Sequence, residues 1–385
     1  MTANVPAKGV SFFTPQQIPP AGTAVALQPN DKPIPILFQP LMIRGLTLQN
    51  RNFVSPMCQY SAKDGKITPW HFAHLGGIFT RSPGLTFTEA TAVLPEGRIT
   101  PEDAGIWSDG HAAPWAPIVE FAHSQNQKIA MQLGHAGRKA SITAPWLPGT
   151  KLATAELGGW PDNTYAASPL RFNDDYPLPK EMSKEVIEEV IDAFKKAAER
   201  AVKIGFDALE VHDGHGYLLF GFLSPTSNHR TYEYGGSFEN RIRIVLEVID
   251  AIRSVIPPEM PFFYRLSPDV PSWRSEDTVR IAPILAVHGI DVLDVSSGGN
   301  NSKQKIIPDP AYQSPLAHAV KSTNPGITDG HTAEGVLEDG LADVVLCGRG
   351  FQQNPGLVLR YAQDLDVDIH LAHQIQWGYR RSRRG

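Results

Sequence analysis

The chain has 385 residues, 42% hydrophobic and only 19% charged, with 33 glycines, 33 prolines and a formal net charge of −5. Its apolar content excludes a disordered polymer, and its glycines lack the collagen period. The mild negative charge gives nucleic acid or an anionic membrane nothing to recognise, so neither is expected as a partner.

The first 35 residues hold Pro6, Pro15, Pro19, Pro20, Pro29, Pro33 and Pro35. Proline at that density denies helix and central strand, so an extended arm is expected, wrapping a neighbouring segment or a partner subunit. The arm has no apolar leader core, and no run along the chain approaches 18 apolar residues. Cys58 and Cys347 lie too far apart in sequence for a zinc knuckle and fit a reducing, cytoplasmic setting.

From residue 36 short apolar runs alternate with helix-period segments. The runs are 51–57, 84–93, 128–137, 206–214, 261–268, 291–299 and 342–350. The clearest helix is 183–205, where Val186, Val190, Phe194, Ala197 and Ala201 make the stripe, Ser183 the N-cap and Gly205 the stop. A second spans 237–258 and ends at Pro257–Pro258; others cover 276–287 and 331–339. Apolar strands at β/α spacing indicate a parallel sheet covered by helices. No GxGxxG follows the first strand, and the length suits a closed (β/α)₈ TIM barrel better than a doubly wound sheet. The expected organisation is an arm (1–35), one barrel domain (36–378) with an insertion at about 137–182, and a basic tail (379–385).

One slot is short of residues. Where a seventh strand belongs, after a helix near 315–322, the chain offers only KSTNPGITDG (321–330). Pro325 interrupts it, and Ile327 and Thr328 are its one β-branched pair. The seventh strand is therefore expected to be shortened or missing.

In such barrels chemistry sits at the carboxyl ends of strands. Those ends carry Cys58, Gln59 and Tyr60; Glu89, Ala90 and Thr91; Gln132, Gly134 and His135; His212, Asp213 and His215; Arg265; Ser296, Ser297 and Gly298; Gly348, Arg349 and Gly350. The set is rich in donors and lacks the carboxylate pair of glycoside chemistry. His212, Asp213 and His215 could ligate a metal only if their loop curled, so hydrogen-bond donors are the favoured reading and no metal is expected. Donors on a barrel floor suit an organic cofactor with carbonyls and ring nitrogens, plus a substrate oxygen to be polarised. Arg349 could meet a phosphate or make a structural ion pair. Cys58 could be a small packing residue, and Tyr217 packing or an acid.

The strings SPMCQYS (55–61), TEATAV (88–93), QLGHAGR (132–138), HDGHGYL (212–218), FLSPTSNHRTYEYGGSFENR (222–241), DVSSGG (294–299), ITDGHTAE (327–334) and GRGFQQNP (348–355) together resemble the old yellow enzyme family of flavin-dependent ene-reductases. SPMCQYS is similar to its thermophilic-type branch and related bacterial and fungal members. The resemblance covers about residues 36–378. It implies a TIM barrel with FMN at its C-terminal face, reduced by NADPH or NADH and reoxidised by an activated alkene. By the same resemblance Gln132 and Arg265 bond the flavin ring, and Pro56, Met57 and Ala90 touch it. Cys58 lies beside the ring, and Ser297, Gly298, Gly348 and Arg349 face the phosphate. His212 and His215 grip the substrate carbonyl, Tyr217 donates the proton, and Tyr60 is a further substrate-binding tyrosine.

Three places depart from the family pattern. Asp213–Gly214 replaces a small pair between the histidines, and an acid there could orient a histidine or point to solvent. Ile375 and Trp377 stand where the branch places an arginine shared between subunits, so no shared active site is expected, and a homodimer stays open. The strand before ITDG is about a dozen residues short, and its end would serve the FMN phosphate. Two alternatives follow: a barrel that has lost catalysis and acts as a scaffold, or a pathway-specific enal reductase or isomerase. Trp107, Phe351 and Trp377 are candidates for an aromatic wall by composition only.

Overall fold

The computed structural model describes residues 3–28, 31–267, 273, 275–302, 324–325, 327 and 329–379. Eight parallel strands form its main sheet. They are β1 (Asn52–Val54), β2 (Leu85–Ala92), β3 (Ile129–Gly134), β4 (Ala208–Asp213), β5 (Phe262–Leu266), β6 (Val292–Val295), β7 (Asn324–Pro325) and β8 (Val345–Cys347). Their order is β6-β5-β4-β3-β2-β1-β8-β7, each joined to the next by parallel pairing. This curled sheet is the TIM-barrel arrangement expected from the alternating pattern, and all seven apolar runs contain a strand.

The expected shortening of the seventh strand falls largely on residues outside those described, since of 303–328 only 324, 325 and 327 are described. Among the described residues, Asn324 and Pro325 pair with Val345 and Leu346 of β8. Among the described residues no ladder joins β6 to β7. The expected helix near 315–322 and most of the basic tail, with Arg380, Arg381, Arg383 and Arg384, lie outside the described residues.

Long helices cover the outside of the sheet. Three are α1 (Lys184–Ile204), α2 (Phe238–Arg253) and α3 (Ser275–Val287). Ser183 caps α1 by accepting from the Val186 N–H at 3.4 Å, and Gly205 ends it at φ +103°. That left-handed stop removes the Cβ clash another residue would meet. Helix α2 stops at Arg253, several residues before Pro257–Pro258. Ile187, Val190, Phe194, Ala197 and Ala201 of α1 meet Ile242, Val245, Ile249 and Ile252 of α2 in the main apolar core. Each large side chain buried this way contributes roughly 1.5–3 kcal/mol. Inside the barrel a second layer holds Phe53, Leu85, Phe87, Ala130, Ala208, Phe263 and Leu346, plugged from below by Leu46 and Leu48 of an N-terminal hairpin.

The proline-rich arm lies on its own barrel. Ala24 bridges to Ile369, the Gly22 N–H donates to the His370 carbonyl at 2.7 Å, and Asn50 Nδ2 donates to the Gly22 carbonyl at 3.1 Å. Gln17 joins both ends of the chain, donating to the Leu371 carbonyl and accepting from the His373 N–H. The neighbour it wraps is thus the C-terminal segment of the same chain.

Candidate active site

Along β4, residues alternate between the barrel interior and the helix layer. Glu210 and His212 face inward, beside Gln132 of β3 and Arg265 of β5 in register. Asp213 faces outward and accepts a hydrogen bond from Tyr264 of β5. It reaches neither solvent nor a histidine, which corrects both sequence readings of this departure. It also removes Asp213 from any ligand set with His212 and His215.

Past the strand the chain turns sharply. His215 and Gly216 take left-handed backbone, φ +57° and +73°. A Cβ on Gly216 would come within 2.6 Å of the Asn300 Cα and the Gly299 carbonyl, so only glycine fits between the loops after β4 and β6. The His215 N–H donates to Ser267 Oγ at 3.0 Å, and Ser267 Oγ meets Ser296 Oγ at 2.9 Å. This turn brings His215 Nδ1 to 3.3 Å from His212 Nε2 and sets the Tyr217 ring 5.1 Å from that of His212.

Electrostatics then fix the proton inventory. Burial lowers the basicity of His212 well below 6.5, and His215, Arg265 and Lys139 lower it further. Burial, Arg265 and Lys139 act the same way on His215. Both rings are neutral at pH 7, and His212 Nδ1 is buried with no partner among the described residues. Burial, reinforced by Cys58 and Tyr60, raises Tyr217 well above 10, so its hydroxyl keeps its proton.

Beside this trio lies a cleft of about 250 Å³, lined by Ala90, Asp103, Gly134, His135, His212 and Tyr217. Cys58 packs with Tyr217 against Ile99, Ala136 and Ala140. Burial, then Asp103 and Glu89, hold its thiol well above the ordinary range, so Cys58 is a protonated neighbour and no thiolate nucleophile. Gln132 Nε2 donates to Glu210 Oε1 at 2.6 Å. Arg265 donates to Ser55 Oγ at 3.1 Å and faces Asp294 at 3.2 Å.

Of the residues singled out by sequence, His212, His215, Tyr217, Cys58, Tyr60, Ala90, Gln132 and Arg265 gather at this end of the sheet. Pro56 and Met57 follow β1, and a Cβ on Gly348 would fall 3.0 Å from Met57 Sδ, so the ends of β1 and β8 nearly touch. Ser297 and Gly298 follow β6, with Gly298 at φ +78°. Arg349 begins a short helix after β8 and is exposed.

Lys139 was not among them. Its ammonium donates to the His215 carbonyl at 2.8 Å and the Gly299 carbonyl at 3.0 Å, and lies 5.1 Å over the Tyr217 ring. Arg138 beside it donates to both the carbonyl and Oδ1 of Asn300, each at 2.8 Å. Together they clamp the β4 and β6 loops. In sequence the only signal was two adjacent cations closing an apolar strand. Asp103 was also missed. It caps a turn by accepting from the Ile99 N–H and the Thr100 hydroxyl, and burial raises it to about 7.

The sequence matches the NADH:flavin oxidoreductase / NADH oxidase family over residues 36–368. It is 50% identical to an NADH:flavin oxidoreductase of Gibberella zeae over 402 aligned residues, 98% of this chain and 96% of that one. It is 39% identical to an NADPH dehydrogenase of Bacillus subtilis, covering 89% of this chain and 99% of the relative. Among solved structures, morphinone reductase superposes with a TM-score of 0.71 at 28% identity, over 86% of this chain and 90% of its own. An old yellow enzyme homologue from Zymomonas mobilis gives 0.71 at 27%, over 87% and 94%. Sequence and fold agree: this chain belongs to the NADH:flavin oxidoreductase / NADH oxidase family, as an old yellow enzyme.

Proposed function

We propose that this FMN-dependent NAD(P)H oxidoreductase reduces the C=C bond of α,β-unsaturated carbonyl compounds. The observation that carries the reading is the neutral His212–His215 pair beside a protonated Tyr217.

The residues present fit FMN. A buried His212 Nδ1 with no partner among the described residues and the inward side chains of Gln132 and Arg265 offer polar atoms at one end of the sheet. Gln132 and Arg265 would hold the ring, with Pro56, Met57, Cys58 and Ala90 against it. Ser297, Gly298, Gly348 and Arg349 would hold the phosphate. Bound FMN supplies hydride chemistry, taken from NADPH or NADH.

The chain's own residues do the rest. His212 and His215, with Tyr60 beside them, would receive the substrate. The histidines donate to the carbonyl oxygen, where negative charge grows as the β-carbon gains hydride. Their neutrality matters, because a neutral imidazole donates without surrendering its proton to the enolate. The Tyr217 hydroxyl supplies the proton to the α-carbon. Lys139 keeps His215 and Tyr217 in place through the His215 carbonyl.

Turnover of 2-cyclohexenone with NADPH by the yellow, flavin-loaded protein tests this. Loss of product with Tyr217→Phe, while NADPH still bleaches the flavin, is the expected result. Flavin-loaded protein that oxidises NADPH but reduces no enone or enal would overturn the reading. Asp213 gives no support to a pocket tailored to one pathway intermediate, since its carboxyl faces the helix layer.

A further inference from the structure

The insertion after β3 carries a short hairpin that stands beside the site. Ile142 and Leu152 bridge antiparallel, and the Thr143 N–H donates to the Lys151 carbonyl at 2.7 Å. Its base is fastened independently of its tip. Ser141 Oγ donates to the Ala153 carbonyl at 2.9 Å and accepts from the Trp160 N–H at 2.7 Å. Trp160 Nε1 donates to the Glu96 carbonyl at 3.0 Å, and the Arg98 guanidinium lies 4.4 Å over the Trp160 ring. Such a base holds the tip in one place.

At that tip Trp146 is 63% exposed and Leu147 50%. Trp146 sets its ring edge-to-face with Tyr60, centroids 5.4 Å apart and planes at 78°. Tyr60 in turn shares a hydrogen bond with the Cys58 thiol and is an electrostatic neighbour of Tyr217. Trp146 is thus one ring removed from the residues that flank the reacting alkene. The other aromatic candidates are elsewhere. Phe351 is buried in the core behind β8, the Trp107 ring lies tilted against that of His111, and Trp377 stands in solvent.

Resting on the ene-reductase reading, we propose that Trp146 is a specificity-determining residue. Its exposed face receives an aryl substituent carried on the alkene, beyond the part held by His212, His215 and Tyr60. Two features argue for this occupant. A large apolar face held in water gains by being covered, at roughly 25 cal/mol per Å². An indole that meets a phenol at a steep interplanar angle still leaves a face for a second ring in an offset or edge-to-face arrangement. Small cyclic enones end before the hairpin and do not use it.

The test compares holoenzyme with Trp146→Ala and Trp146→Phe on 2-cyclohexenone and 4-phenyl-3-buten-2-one. For the alanine variant the KM for the phenyl enone should rise about three- to tenfold, the range of one aromatic contact. The KM for 2-cyclohexenone should stay within about twofold, and phenylalanine should recover most of the loss. Calorimetric binding of the saturated product, 4-phenylbutan-2-one, should weaken in parallel without turnover. Equal changes on both enones, or none on either, would overturn the assignment to Trp146 while leaving ene reduction intact. Wild type that reduces neither enone while still oxidising NADPH would remove the underlying reading and this proposal together.

Discussion

The Tyr264 hydroxyl donates to the Asp213 carboxyl in the layer between barrel and helices, where neither side chain has any exposure. Burial drives the acid well above 3.8, and the hydrogen bond from Tyr264 opposes this only in part. The folded state therefore holds a proton that the unfolded chain releases above pH 3.8. Stability from this source is complete below that value and is lost as pH rises toward the raised one. Asp213→Asn keeps an acceptor for Tyr264 and has no proton to lose. Its stability relative to wild type should grow as pH rises from 5 to 8, read by urea denaturation at each pH. Tyr264→Phe leaves the buried acid without its donor and should cost about 1–3 kcal/mol. A pH-independent difference between Asn and wild type would show that the acid is ionised in the fold.

Lys139 makes the opposite linkage. Burial, then Arg138 and Lys151, push its ammonium down from 10.5 to about 7. Between those values the unfolded chain binds the extra proton, so wild-type stability gains from this group as pH climbs from 7 toward 10.5. Lys139→Met should lack that gain. Its two carbonyl partners also lose their donor, so the His215–Tyr217 turn loosens and kcat/KM should fall by about tenfold, an order-of-magnitude cost for misplaced groups. Because Lys139 helps keep His212 and His215 neutral, the acid limb of the kcat/KM profile should move toward neutral pH in the variant. Lys139→Arg should restore the limb's position even where it fails to restore the rate.

His135 offers a second check on acid stability. Burial lowers it to about 4; Nδ1 accepts from the Gly137 N–H at 3.0 Å, and Nε2 is buried with no partner among the described residues. The unfolded chain takes up a proton near 6.5 that the folded chain refuses until about 4. Stability should fall as pH drops through that window, and His135→Gln should flatten this part of the curve. Thermal denaturation between pH 4 and 7 measures the slope.

The strands, the long helices and the strand-end positions of the candidate site residues were legible because each depends on local pattern. Short apolar runs, several of them near-continuous, marked the strands, and Ser183 and Gly205 bounded α1 as their capping chemistry requires. What stayed hidden depends on contacts across the fold. Asp213 read as a modifier of histidine because it lies next to one in sequence, whereas strand alternation turns it to Tyr264. Lys139 was not singled out because nothing local reveals two carbonyls arriving from β4 and β6. The arm's partner was equally invisible, since Gln17 and Gly22 bond residues about 350 positions away.

The Arg265–Asp294 pair separates folding from cofactor binding. Asp294 has no exposure, and Arg265 Nε lies 3.2 Å from its Oδ2 while Nη1 donates to Ser55 Oγ. Inside the same barrel, burial and the Asp294 charge raise Glu210 well above 4.5, and Arg265 opposes that rise. Removing the guanidinium takes away the cation that faces both acids. Arg265→Ala should cost about 3–5 kcal/mol, the range for breaking a buried ion pair from one side. The loss should appear in flavin-stripped protein, because the pair is internal to the chain. Flavin retention should fall as well if Arg265 also holds the ring. Arg265→Lys keeps the charge but not the fork that spans Ser55 and Asp294, so it should recover more stability than flavin affinity. Denaturation of the apoprotein and fluorescence titration with FMN read the two effects separately. An alanine variant as stable as wild type without flavin would mean that the barrel tolerates its acids without that cation, and that Arg265 serves the cofactor alone.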